Sequence, residues 1–556
     1  MTNFLAEAQS SSRPSIKEVA AWLLLLAAVT VSRWALAPEL LLEWDSANYH
    51  LAITQFDIFE HQPHPPGSPL FVLLLRMAAG MPGSEVTPFL IVNSLFTATT
   101  LLAVAALIRR NVGPLGAWLT ALALATCPPF WYHGAASTAY VAECACSVLA
   151  ALLGLSLARR QLPPAAALLL TGLLIGVRPT GALVWTPVVL FGLYCARPSK
   201  RQLTGALVGF STGCLSWFVP LMQFGGGWRR FREASAALQQ WQLDMGSILS
   251  GNLDAVASNT LTLSLYLLDA LHLLWLVGIG ACLLLIKQRK TSLITLGFFL
   301  CWAVPATLIY TLHHLAKSGY VLTLVPLLFG AGAVAVSHIV SAKTQTAQRL
   351  GRATALMALL YSTINLFAFF YAVPQALLAT KDAEISGLPK TVVLTGDYGR
   401  FGLAYKTWPQ QQLGTLINKL DPAQDLVLFL FGAHELHRIL SATHPKQWMM
   451  ATSVDHNSTL EGPTGSLSFG EFQQQILRAP SSDSSWTEPT KITLQPTQFK
   501  LSRAVKESVI PLRRSPRDVL VVYPCPPCEL VINNEQVRQQ QISIGAGFGA
   551  IKLSLR

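Results

Sequence analysis

Charge is what this sequence has least of. Asp, Glu, Lys and Arg together make up 12% of the 556 residues, against 52% hydrophobic residues, and the mean hydropathy is positive. So little charge cannot cover a water-facing surface, which excludes a chain that is soluble throughout. No internal repeat or low-complexity tract is evident, and that absence speaks against the repeat-built transporters. No second Cys pair joins Cys525 and Cys528 to make a zinc site. His434 and His437 stand in AHELH, which is not the H-E-x-x-H order of a metalloprotease. No small-residue cleavage site follows the first apolar run, which reads as a retained span. The net charge of +12 does not mark a nucleic-acid binder, because Arg and Lys mostly flank apolar runs. There they set orientation and meet anionic lipid.

What is present is a series of apolar runs from 17 to 374, each suited to a hydrocarbon core roughly 30 Å thick. Residues 375–556 are polar and mixed enough to fold in water. The fold class is therefore a polytopic α-helical membrane domain followed by a soluble domain. The polar segment 1–16, with Arg13 beside Lys17, is expected in the cytoplasm. A span over 17–37 then exits into a first outer loop, 38–87. Within that loop 68–80 is too short to cross and holds Arg76, so it reads as an interfacial helix. Spans follow at 88–108, 114–131, 139–158, 163–177, 182–196, 203–222, 261–286, 292–311, 320–340 and 353–374. This gives about eleven spans, and each strongly basic short loop (RR, RR, RPSKR, KQRK) falls inside. The same parity puts the soluble domain outside the cell (inner) membrane, on the periplasmic side in a bacterium.

Parity also gathers the unusual polar residues on one face. Glu43, Asp45, His61, His64, Glu143, Arg178, His313, His314 and Lys317 all lie in outward loops or at outer helix ends. Ionisable groups near membrane depth are costly and tend to line a cavity. The richest stretch is EWDSANYHLAITQFDIFEHQPHPPGSPL, starting at Glu43. Tyr49, Ala52, Ile53, Phe56 and Phe59 recur there at helical spacing, which predicts an amphipathic helix on the outer leaflet, stopped by PHPPG. Asp45 is either an ordinary helix N-cap or an acid displayed at the water–lipid boundary. His61 and His64 are either interfacial hydrogen-bonding groups or part of a metal site, for which three ligands are not evident nearby.

The stretch EWD resembles the acidic pair in the first outer loop of membrane glycosyltransferases of the GT-C class. HPPGSPL is similar to the His/Lys-Pro-Pro segment of protein O-mannosyltransferases and aminoarabinose transferases, the glycosyltransferase family 39-like group. GVRPTG resembles that group's basic turn between middle spans, and HHLAKSGYVLTLVPLL its late loop and re-entering helix. The likeness covers roughly 17–374; it departs where the proline motif runs on into Gly-Ser-Pro, which places the chain in a bacterial branch. The resemblance implies an enzyme, a hexosyl or pentosyl transferase. It would move a sugar from a polyprenyl-phosphate donor to a lipid, glycan or protein acceptor, with inversion. Asp45 is then the general base, with Glu43 beside it and Glu143 orienting the acceptor or holding Asp45, if it is not simply the partner of a structural Arg. Arg178, Lys317, His313 and His314 are the cations and donors for the departing phosphate, and His61, His64 and Tyr320 line the pocket. No cofactor is certain; a divalent metal on Glu43 and Asp45 is compatible with the pattern. The alternative class is a transporter or flippase of lipid-linked saccharides.

The remaining signals are plainer. The cysteines from Cys127 to Cys301 read as small apolar packing residues, and Cys525 with Cys528 in CPPC as a local disulfide in an oxidising compartment. Asn457 begins an NST sequon, which matters only in a eukaryotic secretory route. TVVLT and DLVLFLF read as strands of a small α/β part. DVLVVY, ELVINNEQV with an Asn-Asn hairpin turn, and IKLSLR read as a following β part, joined by the linker APSSDSSWTEPT. A reporter active only outside the cytoplasm, fused after Pro374, is expected to be active. A silent fusion at normal expression would overturn the parity assignment.

Overall fold

The computed structural model describes residues 15–272, 274–275, 293–313, 315, 317–340, 345–372, 398–430, 434–453, 458–462, 490–495, 498–503, 506–511, 516–524, 530–532, 537–545 and 548–555. Among them, seven helices are long and apolar enough to cross a membrane. Four shorter apolar helices accompany them, Pro69–Ala78, Pro114–Ala125, Pro164–Val177 and Ser318–Val334. The protein is a multi-pass membrane protein. The first helix, α1 (Ile16–Leu36), starts at Ser15, whose hydroxyl accepts the Glu18 N–H at 3.2 Å. Its Leu23 and Leu24 are exposed, as lipid-facing residues are.

The short helices of the outer loop follow as α2 (Trp44–Thr54) and α3 (Pro69–Ala78). The expected amphipathic helix is shorter than its aromatic spacing suggested. It stops at Thr54, and Phe56 and Phe59 lie beyond it, beside a turn closed by paired backbone bonds between Asp57 and Gln62, both 2.8 Å. Nor does it lie open on a leaflet: Ser46, Ala47, Asn48, Tyr49 and Ala52 are all buried. The spacing of apolar residues could not reveal this, because the cover comes from the far end of the chain.

The bundle continues with α4 (Thr87–Val112), α5 (Pro114–Ala125) and α6 (Pro128–Ala135). The expected single span 114–131 is broken at Thr126–Cys127. Pro128 and Pro129 offer no N–H to the preceding turn and push Cys127 into an extended conformation. Then come α7 (Tyr140–Ala158), α8 (Pro164–Val177), α9 (Ala182–Ala196), α10 (Lys200–Phe224), α11 (Gly227–Gly246), α12 (Leu253–Leu271), α13 (Leu293–Leu312), α14 (Val325–Val340) and α15 (Gln345–Tyr371). The expected span 261–286 begins in α12, and most of its inner part lies outside the described residues. Helix α7 is the buried centre of the bundle. Small residues bring its neighbours close: a Cβ on Gly192 of α9 would lie 2.1 Å from the Gly154 carbonyl oxygen of α7. Gly209 and Gly213 of α10 likewise face the carbonyls of Ala165 and Leu169 on α8, at 2.2 and 2.4 Å from such a Cβ.

Among the described residues the C-terminal domain adds α16 (Arg400–Ile417) and α17 (His434–Thr443) to ten strands. DLVLFLF supplies β1 (Leu426–Leu430), parallel to both β2 (Trp448–Ser453) and β7 (Asp518–Pro524). The mixed sheet runs β3-β2-β1-β7-β10-β9, with β3 (Ser458–Gly462), β9 (Val537–Gly545) and β10 (Phe548–Leu555). A second sheet runs β6-β5-β4-β8, from β4 (Thr490–Gln495), β5 (Gln498–Arg503), β6 (Lys506–Pro511) and β8 (Leu530–Ile532). Two expectations fail here. DVLVVY and IKLSLR are not a separate β part but join the α/β sheet. The strands on either side of Asn533-Asn534 go to different sheets and form no hairpin. Turn residues permit a chain reversal, but pairing is chosen by non-local packing. TVVLT, the linker, Asn457, His314, Cys525 and Cys528 lie outside the described residues.

Gly192→Val should lower the melting temperature of the purified protein by an amount corresponding to roughly 1–3 kcal/mol or more, the cost of overpacking against backbone. Gly332→Ala, where a Cβ meets nothing within 4 Å, serves as the neutral control.

Candidate active site

Helix α2 presents both members of the acidic pair, and neither caps it. Glu43 holds the N-cap position with extended backbone, but its side chain makes no capping bond, and Asp45 sits one residue inside the first turn. The N-cap alternative for Asp45 therefore does not apply. Both carboxylates instead meet one ammonium. Lys317 Nζ is 2.5 Å from Glu43 Oε2 and 3.5 Å from Asp45 Oδ2. The lysine stands just before the short 3-10 helix Ser318–Thr323. His64, delivered by the Pro-rich turn, places Nδ1 3.4 Å from Asp45 Oδ1, an ionic contact without hydrogen-bond geometry.

A second group lies one turn further along the same helix. The Tyr49 hydroxyl accepts from Arg178 at 3.0 Å and lies 3.1 Å from the Ser68 hydroxyl. Arg178 pairs with Glu143 at 3.3 Å and lies over the Tyr140 ring, 5.3 Å from its centroid. Tyr320 packs edge-on to Tyr140 and tilted against Tyr310, both at 5.4 Å. Glu143 and Arg178 are nearly sealed from solvent, at 2% and 6% exposure. Glu143 Oε2, Arg178 Nε and His64 Nδ1 are buried atoms with ionic neighbours but no well-directed hydrogen bond. Such unmet capacity inside an otherwise satisfied site is where a ligand's polar groups would bind.

The structure thus brings together Glu43, Asp45, His64, Lys317, Arg178, Glu143 and Tyr320. His61 is buried beside them in a left-handed backbone conformation, φ 53°. His313 is not part of the group: its Nδ1 lies 3.3 Å from the Ser247 hydroxyl. Sequence reasoning missed Tyr49, Tyr140 and His133. The first two were legible as Asp45 plus four and Glu143 minus three, one helical turn away on the same face. His133 gave no such signal; its ring nitrogens lie 3.2 Å from the hydroxyls of Thr138 and Ser318, steadying the residue after Lys317.

The charges are mutually dependent. Burial alone would raise the pKa of Asp45, but Lys317, then His64 and Arg178, hold it well below the usual carboxylate range. Burial pulls Lys317 down, yet Asp45 and Glu43 outweigh it and keep the ammonium well above the ordinary lysine value. Burial pushes His64 down against the pull of Asp45, and it brings His61 to about 3, helped by His64 and Arg438. The ammonium occupies the place that a divalent cation bridging Glu43 and Asp45 would need. Among the described residues no group of three His, Cys, Asp or Glu is arranged to hold a metal. The acidic pair does not fit that role as built.

Among solved structures, the chain is similar to ArnT from Cupriavidus metallidurans bound to undecaprenyl phosphate, with TM-score 0.55 and 14% identity over 96% of this chain and 98% of that one. The apo state of the same protein gives TM-score 0.53 and 15% identity over the same shares. No family model and no curated protein matches the chain. The chain thus shares the fold of that protein along nearly the whole length of both chains.

Lys317→Met provides a test of the shared cation. In the parent, Asp45 has a depressed folded-state pKa. Its contribution is complete above the ordinary carboxylate value near ~4 and is lost only as pH falls further. In the variant the raising effect of burial on Asp45 is no longer offset by Lys317, so Asp45 binds a proton more readily folded than unfolded. That contribution is present at low pH and lost as pH rises through the raised value. The melting-temperature deficit of the variant should therefore shrink from pH 8 to pH 5. Parallel curves would refute the reading.

Proposed function

We propose that the protein transfers a sugar from a polyprenyl-phosphate donor to an acceptor at the outer face of the membrane, with inversion at the anomeric carbon. The observation that supports it most is one carboxylate, Asp45, held by the Lys317 ammonium at 3.5 Å beside a second cation, Arg178, which is itself paired with Glu143. The ArnT structure carrying undecaprenyl phosphate makes a polyprenyl phosphate the first donor class to consider.

In the reaction an acceptor O–H or N–H attacks the anomeric carbon. The proton passes to Asp45 as the new bond forms, and the bond from carbon to the lipid phosphate oxygen breaks. The electron pair leaves with the phosphate, whose charge Arg178 and Lys317 stabilise. Arg178 is gripped by Glu143 and Tyr49, so its fork is held in place before the donor arrives.

Lys317 couples the two halves of this chemistry. A carboxylate held at low pKa by an adjacent ammonium is a weak base. A donor phosphate that draws Lys317 toward itself weakens that hold, and the proton affinity of Asp45 rises as the donor binds. Glu43 keeps the lysine nearby throughout. Tyr320, half-buried with Tyr140 and Tyr310 packed behind it, presents its ring toward the sugar.

Transfer assays with defined polyprenyl-phosphate sugars should show Asp45→Asn reduced by about 100- to 10,000-fold, with the variant folded and still binding donor. Arg178→Ala should mainly weaken donor use. Full turnover by a folded Asp45→Asn protein would remove the carboxylate from the mechanism.

A further inference from the structure

The cover over α2 is specific. Arg438, on α17 of the C-terminal domain, is buried, and its guanidinium holds two separate segments of the first outer loop. Its Nε donates to Asn48 Oδ1 at 2.9 Å, and an Nη donates to the Glu60 carbonyl at 2.8 Å. Asn48 lies on the helix that carries Asp45. Glu60 opens the turn that carries His61 and His64. One side chain therefore ties together the two segments whose side chains meet at Asp45.

The helix itself divides its contacts. Trp44 packs against the core of the C-terminal domain, formed by Leu413, Ile417, Val427 and Phe429 among others, and Asn48 meets Arg438. One residue further on, Asp45 and Tyr49 face the membrane bundle through Lys317 and Arg178. The positions 44 and 48 form one stripe and 45 and 49 the next, so rotation of α2 about its axis sets where Asp45 points. The far side of the turn is held independently, with Arg230 of α11 on Asp57 at 3.1 Å and Glu60 at 3.6 Å.

A domain contact that needed only adhesion would be served by apolar residues. A buried guanidinium must have its donors satisfied. Here the planar fork spans two acceptors at fixed separation, which a flexible ammonium cannot reproduce.

We infer that Arg438 is a positioning residue for the reaction: by bonding Asn48 and the Glu60 carbonyl together, it fixes the rotation of α2 and the approach of His64, and so aims Asp45. This rests on the reading of Asp45 as the base. The C-terminal domain is on this account part of the active unit.

The test uses the full-length protein with Arg438→Ala, Arg438→Lys and the pairing of each with Asp45→Asn. Arg438→Ala should lower kcat at least tenfold with donor KM changed less than threefold, and Arg438→Lys should recover part of the loss. In the Asp45→Asn background, Arg438→Ala should cause no further loss. Hydrogen–deuterium exchange should quicken over 44–54 and 57–64 but not across strands β1, β2 and β7. An unchanged kcat, a further loss in the Asp45→Asn background, or exchange raised throughout the domain would overturn the proposal. If the parent transfers no sugar from any polyprenyl phosphate, the functional reading fails on its own. Exchange then decides alone, with unchanged protection over 44–64 counting against Arg438.

Discussion

Two carboxylates two residues apart, in a partly buried setting, repel each other unless a cation stands between them. Lys317 supplies that cation, and the segments around it are arranged to keep it there. The short 3-10 helix after it is tied to the bundle through Ser318 and His133, and it packs Tyr320 against Tyr140 of α7. The pairing of Arg178 with Glu143 repeats the scheme one turn along α2, deeper in the bundle. The site is therefore a pair of coupled ion pairs joined by one short helix, with Tyr49 as the link. Any anion entering the site meets cations that are already partnered, so its binding competes with Glu43, Asp45 and Glu143.

Beneath this face the bundle is held by close approach rather than by polarity. In lipid no water-driven force brings helices together, so contact depends on backbones coming near each other. The glycines of α7 and α9, and of α8 and α10, allow that approach. This matters for the site because α7 carries Glu143 and α8 is followed directly by Arg178. A spacing error between the central helices would move one partner of the buried pair relative to the other. The rigid packing below and the ion pairs above thus act on the same residues.

The C-terminal domain closes the site from the opposite side. Its sheet is built from β1, β7 and β10, distant in sequence, and two helices lie on one face of it with Trp44 inserted beside them. Lys406 of α16 reaches the Tyr132 hydroxyl at 3.0 Å, and Arg438 of α17 reaches α2. The segment carrying α2 is thereby held between the helix bundle and the C-terminal domain, which explains why both its polar and its apolar faces are buried.

Sequence alone determined the class of the molecule, since scarce charge and long apolar runs leave few alternatives. It also singled out Glu43, Asp45, Glu143, Arg178 and Lys317, because ionisable residues beside apolar spans stand out whatever the fold. Local spacing was enough for the helix starts, where Pro or Ser marks the first turn. What it misjudged were the features whose partners lie far along the chain. The helix after Asp45 read as a surface because Arg438 is 390 residues away in sequence. The Asn-Asn turn read as a hairpin because the strands β8 and β9 find their partners elsewhere. His313 ranked with Lys317 by proximity, yet a few residues suffice to turn a side chain from the site toward Ser247. Residue chemistry is a local property and was legible in the string of letters. Which charges neutralise one another, and which helix face is covered, are properties of distance in space, and only the tertiary structure could decide them.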